Sequence, residues 1–324
     1  MKKITLVFSI LFTLFALVGC GTTSVTTATS QTTNSTVTID DSKEITVYTR
    51  DTTSGTREAF FKGIDFDDAA GNNTVLVDGY VEVDGNGSMI TSISNDKYGI
   101  GYISLASLTD SGLNGLNFEG VVASKENVIN GTYGLQRPFN YIVRSDWTGM
   151  ETERQISEAF IAYMSTIDGF ATIMNKHGIV ELNGNIALWD DIKAEYSICI
   201  QDNSSVTISF GGSTSVESIA RALSAEFSAK CGDFIAEHNH TGSGDAYIRT
   251  QGTESEGANK LHIGFASREF KPSEPYSEGT SGLICLDAVV VVLNGNNSTI
   301  TNITSEKLRK IYSGEYTTWS DLLG

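Results

Sequence analysis

Three short stretches place glycines and hydroxyl side chains where a strand would hand over to a helix. They are VYTRDTTSGTREAF (47–60), ISFGGSTSVESIA (208–220) and HNHTGSGDAYI (238–248). The first turn of a helix carries unpaired N–H groups and the positive end of the macrodipole. Small residues there let an oxyanion approach the backbone, and Ser and Thr add donors. One such turn is an ordinary helix cap, as Ser54 would be for the helix expected over 54–64. Three in one chain, one with Arg50 directly ahead, point to a converging anion site. Arg57, one turn into that helix, reads as a packing residue or a surface ion pair.

Other chemistries fit less well. GSGDAYIRTQG (242–252) lacks a full G-x-G-x-x-G and the later ribose-binding acid. His238 and His240 read as strand-end side chains, not metal ligands. Asp190 with Asp191, and Asp65, Asp67 and Asp68, read as solvated loop charge. No Ser/His/Asp set has a nucleophile-elbow context. No metal and no cofactor is expected, and the chain is not read as an enzyme.

The elements that must position these turns alternate. Strands are expected at 44–49, 98–105, 116–122, 205–210 and 283–293 and in LHIGFA, with a helix over 151–178 and another carrying Ile219, Leu223 and Phe227. That alternation predicts an α/β architecture. The formal charge is −17 over 324 residues. A basic nucleic-acid face is therefore excluded, and any anion must be held by local donors against an unfavourable overall field.

The N-terminus reads as a leader: a charged MKK, an apolar run from Ile4 to Val18, then Gly19-Cys20. LVGC (17–20) resembles the lipobox of bacterial lipoproteins, which implies a signal peptide over 1–19, lipidation at Cys20, and a membrane-anchored, extracytoplasmic protein. Residues 20–43 are Thr/Ser-rich and read as a tether. Three further cysteines, Cys199, Cys231 and Cys285, form an odd set with no C-x-x-C, which argues against a disulfide framework. Cys285 reads as a small buried hydrophobe.

Together these segments resemble the phosphate-binding protein of bacterial phosphate ABC transporters, a two-lobed periplasmic-binding-protein-like (type II) fold. GGSTSVESIARALSAEF is similar to that family's opening strand–loop–helix, HTGSGDAY to its second ligand loop, and HIGFASREF to a third contact. LDAVVVVLN with ITSEKLRKIYSGEYTTW resembles the crossing strand and the I-x-x-G-x-x-x-x-W segment after it. VYTRDTTSGTREAFF resembles the arginine loop of the second lobe. The likeness covers most of 44–183 and 205–324, but in exchanged order, which implies a circular permutation with 184–204 bridging the old break. A junction of two partial copies would give the same order; a leader correctly placed ahead of the exchanged half argues against it. The implied domains are 44–140 (second lobe), 141–290 (first lobe, with the bridge) and 291–324 (return to the second lobe).

Carried over residue by residue, the resemblance implies ligand contacts from Arg50, Ser54, Gly55, Thr56, Thr214, Ser215, Ser243 and Ser267. Arg268 would either reach the ligand or brace the lobe. Some family members carry a carboxylate where Ser267 and Thr52 stand; its absence weakens the expected rejection of sulfate. The implied function is a monomeric lipoprotein receptor that binds inorganic phosphate and delivers it to ABC permease subunits. Alternatives are an oxyanion-responsive sensor or surface-interaction protein, a binder of another tetrahedral oxyanion, and a phosphoester hydrolase.

Overall fold

The structure, a computed structural model, describes residues 39–324. The leader over 1–19, the lipidation site at Cys20 and most of the 20–43 tether lie outside the described residues. No helix among the described residues is long and apolar enough to cross a membrane.

Eight strands form the frame: β1 (Thr46–Arg50), β2 (Val81–Val83), β3 (Gly99–Ser104), β4 (Gln136–Val143), β5 (Thr207–Gly212), β6 (Ile235–His240), β7 (Ile263–Ala266) and β8 (Ser281–Leu293). They lie in the order β2-β1-β3-β8-β4-β7-β5-β6. β1 pairs in parallel with β2 and β3, and β5 in parallel with β6 and β7. The three central pairings, β3 with β8, β8 with β4 and β4 with β7, are antiparallel. The order is a palindrome: read from either edge, three parallel strands are closed by one antiparallel strand that belongs to the opposite half of the chain.

Each half has its own core. Phe60, Phe61, Tyr102, Tyr312 and Trp319 belong to one, and Phe160, Phe210, Phe227 and Phe265 to the other. β8 passes from the second core to the first between Cys285 and Ala288. It can do so because ICLDAVVVVL is apolar and β-branched on both sides of one carboxylate, which suits a strand buried on two faces. The lobes are thus joined through adjacent long strands, β4 and β8, rather than a loose linker.

The helices that follow the strands are α1 (Gly55–Gly63), α2 (Asn86–Asn95), α3 (Glu151–Met164), α4 (Ile167–Asn175), α5 (Glu217–Ser228), α6 (Ser243–Ile248) and α7 (Ser305–Ser313). The single helix expected over 151–178 is two. Thr166 caps a fresh start by accepting from the Gly169 N–H at 3.2 Å, and a side chain at Gly169 would meet the Met164 Cα at 2.8 Å. The strand expected over 116–122 shrinks to Asn117–Phe118, because Glu119 (φ 51°) and Gly120 (φ 79°) turn the chain.

The bridge over 184–204 forms one helical turn (Trp189–Ile192) and two 3₁₀ turns, with Trp189 2% exposed in the second core. Cys199 is disulfide-bonded to Cys231, which corrects the expectation that the odd cysteine count argues against disulfides. Counting fails here because Cys285 sits alone in the core of β8 as an inert thiol. The beginning of the described chain is tied to its end: Glu44 bridges Thr318, and the Ile45 N–H donates to the Thr317 carbonyl at 2.8 Å.

Candidate functional site

The turn after β1 is held by its own polar groups. Ser54 caps α1 by accepting from the Arg57 N–H at 3.3 Å. Asp51 accepts from the Thr53 N–H at 2.8 Å. Arg57 is fully buried, not a surface residue; it donates to the Arg50 carbonyl at 2.7 Å and twice to the Ala69 carbonyl. An apolar address for a guanidinium is tolerable because backbone oxygens accept several of its N–H groups.

Arg50 is 1% exposed. Its Nε donates to the Val83 carbonyl at 3.1 Å and its Nη2 to the Asp84 carbonyl at 2.9 Å, which fixes the plane of the fork. Nη1 is buried and has no partner in the protein. Burial, first, and then the nearby Arg137 charge push the Arg50 pKa down, against the pull of Tyr102 and Asp51. A buried cationic donor in that condition is stabilised by any anion that reaches it.

The three glycine- and hydroxyl-rich turns converge. The Thr56 and Ser215 hydroxyls are 2.8 Å apart, and those of Ser243 and Ser267 are 3.1 Å apart. Gly55 sits against the second pair: a side chain there would meet the Ser243 Cβ and the Ser267 Oγ at 2.9 Å. The Gly244 N–H donates to the Thr53 carbonyl at 3.2 Å, a direct backbone bond between the lobes. Thr214 stands beside Gly85 on the other side of the cleft, with its methyl 3.6 Å from where a Gly85 Cβ would be. It makes no side-chain hydrogen bond to the cluster among those between described residues.

Arg268 takes the bracing role. Its guanidinium is paired with Glu274 at 2.7 Å and reaches Glu58 of α1 at 3.1 Å, where Lys271 joins at 2.9 Å. Burial opposes it, but hydrogen bonds from Lys62 and Lys271 and the Arg268 charge hold Glu58 below its ordinary pKa. The link spans the cleft as a charged clasp and leaves Arg268 no fork for a ligand.

Three residues at the floor of the cleft escaped sequence reasoning. Arg137 on β4 and Asp287 on β8 are register partners and form a buried ion pair at 2.8 Å. Arg137 also donates to Thr56 (2.9 Å), Ser215 (3.0 Å) and Ser267 (3.3 Å), hydroxyls from both lobes. Asn86, at the start of α2, donates to the Ser215 Oγ at 3.0 Å. One signal was legible: a lone carboxylate inside LICLDAVVVVLN must have a cationic partner if both faces of that strand are buried.

His238 and His240 lie in a chain of polar contacts: Ser224 to His238 (2.9 Å), His238 to His240 (3.1 Å), and His240 to the Ser213 carbonyl (3.1 Å). Burial pushes both pKa values down to about 4. They brace the Ser213–Ser215 loop from behind.

With this geometry in view, comparison with known proteins gives one consistent answer. Residues 200–324 match a family model described as a PBP superfamily domain. The chain is 28% identical over 328 residues to phosphate-binding protein PstS 2 of Streptococcus pneumoniae serotype 4, covering 99% of both chains. It is 29% identical over 281 residues to PstS 2 of Streptococcus agalactiae serotype V, covering 86% of this chain and 87% of the relative. Over nearly its whole length the chain is similar to proteins named phosphate-binding protein PstS 2. A solved phosphate-binding protein of a phosphate ABC transporter from S. pneumoniae TIGR4 superposes with a TM-score of 0.61 at 26% identity, covering 86% of this chain and all of that one. The two cores and the palindromic sheet are therefore the two lobes of a PBP-like fold, and the cluster of hydroxyls and guanidiniums lies where they meet.

Proposed function

We propose that this chain is an extracytoplasmic, lipid-anchored receptor that binds inorganic phosphate between its lobes and delivers it to an ABC permease. The observation that carries the reading is the Arg50 Nη1, buried and unpartnered beside a second guanidinium in an otherwise strongly acidic protein. Asp287 neutralises Arg137 through a direct ion pair, whereas the carboxylate nearest Arg50, Asp51, is 3.7 Å away and engaged with Thr53. The cleft therefore holds a surplus positive charge with donors around it, which is what a dehydrated oxyanion requires. The relatives, a phosphate-binding protein PstS 2 and a solved phosphate-binding protein of a phosphate ABC transporter, support phosphate as that anion and ABC transport as its destination.

In this reading the ligand touches Arg50, Gly55, Thr56, Ser215, Ser243 and Ser267, with Ser54 and Thr214 at the edges of the site. Closure of the lobes is the only conformational step, and no bond is made or broken. Cys20 carries the anchor, and the tether is complete by Ile39, which packs into the first core, with the Asp41 and Lys43 carbonyls accepting from Ser320 and Trp319.

We also read the order of segments as a natural permutation. The palindromic sheet makes the halves interchangeable, and the bonded pair Glu44–Thr318 supplies adjacent ends. The end-to-end alignment with a streptococcal relative supports an order shared with that protein over a fusion of two partial copies.

The test is isothermal titration of the mature chain, with Cys20 replaced by serine, against phosphate. Saturable one-to-one binding at micromolar phosphate or tighter is expected. No heat at millimolar phosphate would remove the transport reading and leave the sensor alternative.

A further inference from the structure

The hydroxyls of the cleft are not free to choose between donating and accepting. Each has one O–H and two lone pairs. Ser215 Oγ receives N–H groups from Asn86 and Arg137, both at 3.0 Å, so its lone pairs are spent. Its proton therefore goes to Thr56 Oγ1, 2.8 Å away. Thr56 also receives Arg137 Nη1 at 2.9 Å, so its own O–H can only point outward. On the other side, Ser243 Oγ receives the Ser267 N–H at 3.0 Å, and Ser267 Oγ receives Arg137 Nη1 at 3.3 Å. Whichever of these two hydroxyls donates to the other, one O–H is left for the cleft. Arg50 Nη1 adds a further donor.

Acceptors are scarce by comparison. Asp287 takes bonds from Arg137, from the Ser104 hydroxyl at 2.9 Å and from the Ala106 N–H at 3.2 Å. Asp51 Oδ1 accepts from Thr53, and its Oδ2 stands 3.7 Å from Arg50 Nη2 with no hydrogen bond to the cleft hydroxyls. No other carboxylate among the described residues bonds to these hydroxyls.

We propose that Arg137 is a positioning and specificity-determining residue that commits the cleft hydroxyls to donation, so that the site prefers a tetrahedral oxyanion presenting unprotonated oxygens and accepts sulfate alongside phosphate. The inference rests on the anion-binding reading above. A site with an acceptor carboxylate rejects sulfate because its own lone pair is left facing an oxygen without a proton. Here each ligand proton is a mismatch wherever its O–H faces another O–H; hydrogen phosphate, the main form at about pH 8, brings one, and dihydrogen phosphate brings a second. Phosphate should therefore bind less well as its second ionisation is reversed, whereas sulfate stays fully ionised and is unaffected.

The experiment is titration of phosphate, with sulfate as competitor, at about pH 8 and about pH 6. The wild-type protein is compared with Arg137→Lys and with the charge-neutral pair Arg137→Gln/Asp287→Asn. In the wild type, sulfate affinity is expected to lie within roughly 100-fold of phosphate at the higher pH, the discrimination reached between isosteres that differ by one hydroxyl when no protein group is left unpaired. The sulfate-to-phosphate ratio should rise several-fold at the lower pH. That rise should shrink in both variants, because lysine reaches as a single point donor and glutamine can itself accept. Failure of a thousandfold excess of sulfate to displace phosphate would overturn the donor-only site while leaving phosphate binding intact. An unchanged pH response in Arg137→Lys would reduce Arg137 to a structural role, even if the double variant does not fold. Absence of binding by either anion to the wild type would instead overturn the proposed function.

Discussion

Arg137 and Asp287 are Cα partners on β4 and β8, the two long strands that join the lobes, and their side chains form an ion pair at 2.8 Å. The cation reaches up to hydroxyls of both lobes, and the carboxylate reaches down to Ser104 and Ala106 at the end of β3. The floor of the cleft is therefore wired to the hinge. Removing one partner of such a buried pair costs about 3–5 kcal/mol, because the other charge is left uncompensated. A ligand seated on these hydroxyls rests on the elements that must bend for the lobes to part.

Arg50→Ala should cut phosphate affinity at least 100-fold, about 3 kcal/mol, the usual loss when a buried charged donor is truncated. Arg50→Lys should fall between, since one ammonium cannot serve two carbonyls and a ligand together. Titration calorimetry reads both, with melting temperature measured alongside. Wild-type affinity in the alanine variant would take Arg50 out of the site.

Gly55→Ala separates fold from closure. Alanine suits the first turn of α1 better than glycine, so helix stability should not suffer. The added methyl, however, would press on the Ser243 Cβ and the Ser267 Oγ. Overpacking there costs about 1–3 kcal/mol, so affinity should drop by about tenfold or more with little change in melting temperature. Small-angle scattering should then show less compaction on adding phosphate.

The Cys199–Cys231 bridge closes a loop of sequence separation 32 and pins the 184–204 segment to the second core. Chain-entropy arguments put its contribution at about 3–4 kcal/mol. Reduction, or Cys199→Ser with Cys231→Ser, should lower the melting temperature and leave phosphate affinity unchanged wherever the protein remains folded. Equal melting curves with and without reductant would contradict the pairing.

Acid should weaken the fold through buried imidazoles. Burial pushes His238, His240 and His262 down to about 4 from an ordinary value of 6.5. His262 Nδ1 accepts from the Ser209 N–H at 2.9 Å, which requires a neutral ring. Between those two values the unfolded chain binds protons that the folded one refuses. Stability is thus complete above 6.5 and drains away as pH falls toward 4. Melting temperature should decline over that window, and less steeply in His262→Gln.

Much of the convergence at the cleft was legible in the chain because its signals are local. Ser54 caps a helix within its own turn, and SGTR, GGSTS and TGSGD each place small residues and hydroxyls where a helix begins. What stayed hidden depends on partners distant in sequence. Arg137 lies in LQRPFNYIV, a stretch whose strand character comes from pairing with β7 and β8 rather than from alternation. Arg57 read as either a packing residue or a surface ion pair, because nothing nearby in sequence reveals that the Arg50 and Ala69 carbonyls will enclose it. Cys199 and Cys231, at a sequence separation of 32, meet where the bridge also places Trp189 in the second core, which nothing local in sequence marks. The break between α3 and α4 arises from Gly169 packing on the end of the preceding helix, which periodicity does not register.

The palindromic strand order has a consequence for biogenesis. β1, β2 and β3 leave the ribosome early, yet the antiparallel strand that seals them is made near the end of the chain, at Val289–Leu293. Throughout that interval the first-made half exposes an open sheet edge and an unsealed apolar face, so it must be shielded or stay unfolded until the closing strand arrives. A truncation just short of β8 would keep β4, β7, β5 and β6 as neighbours but leave the β1–β3 half without its closing strand.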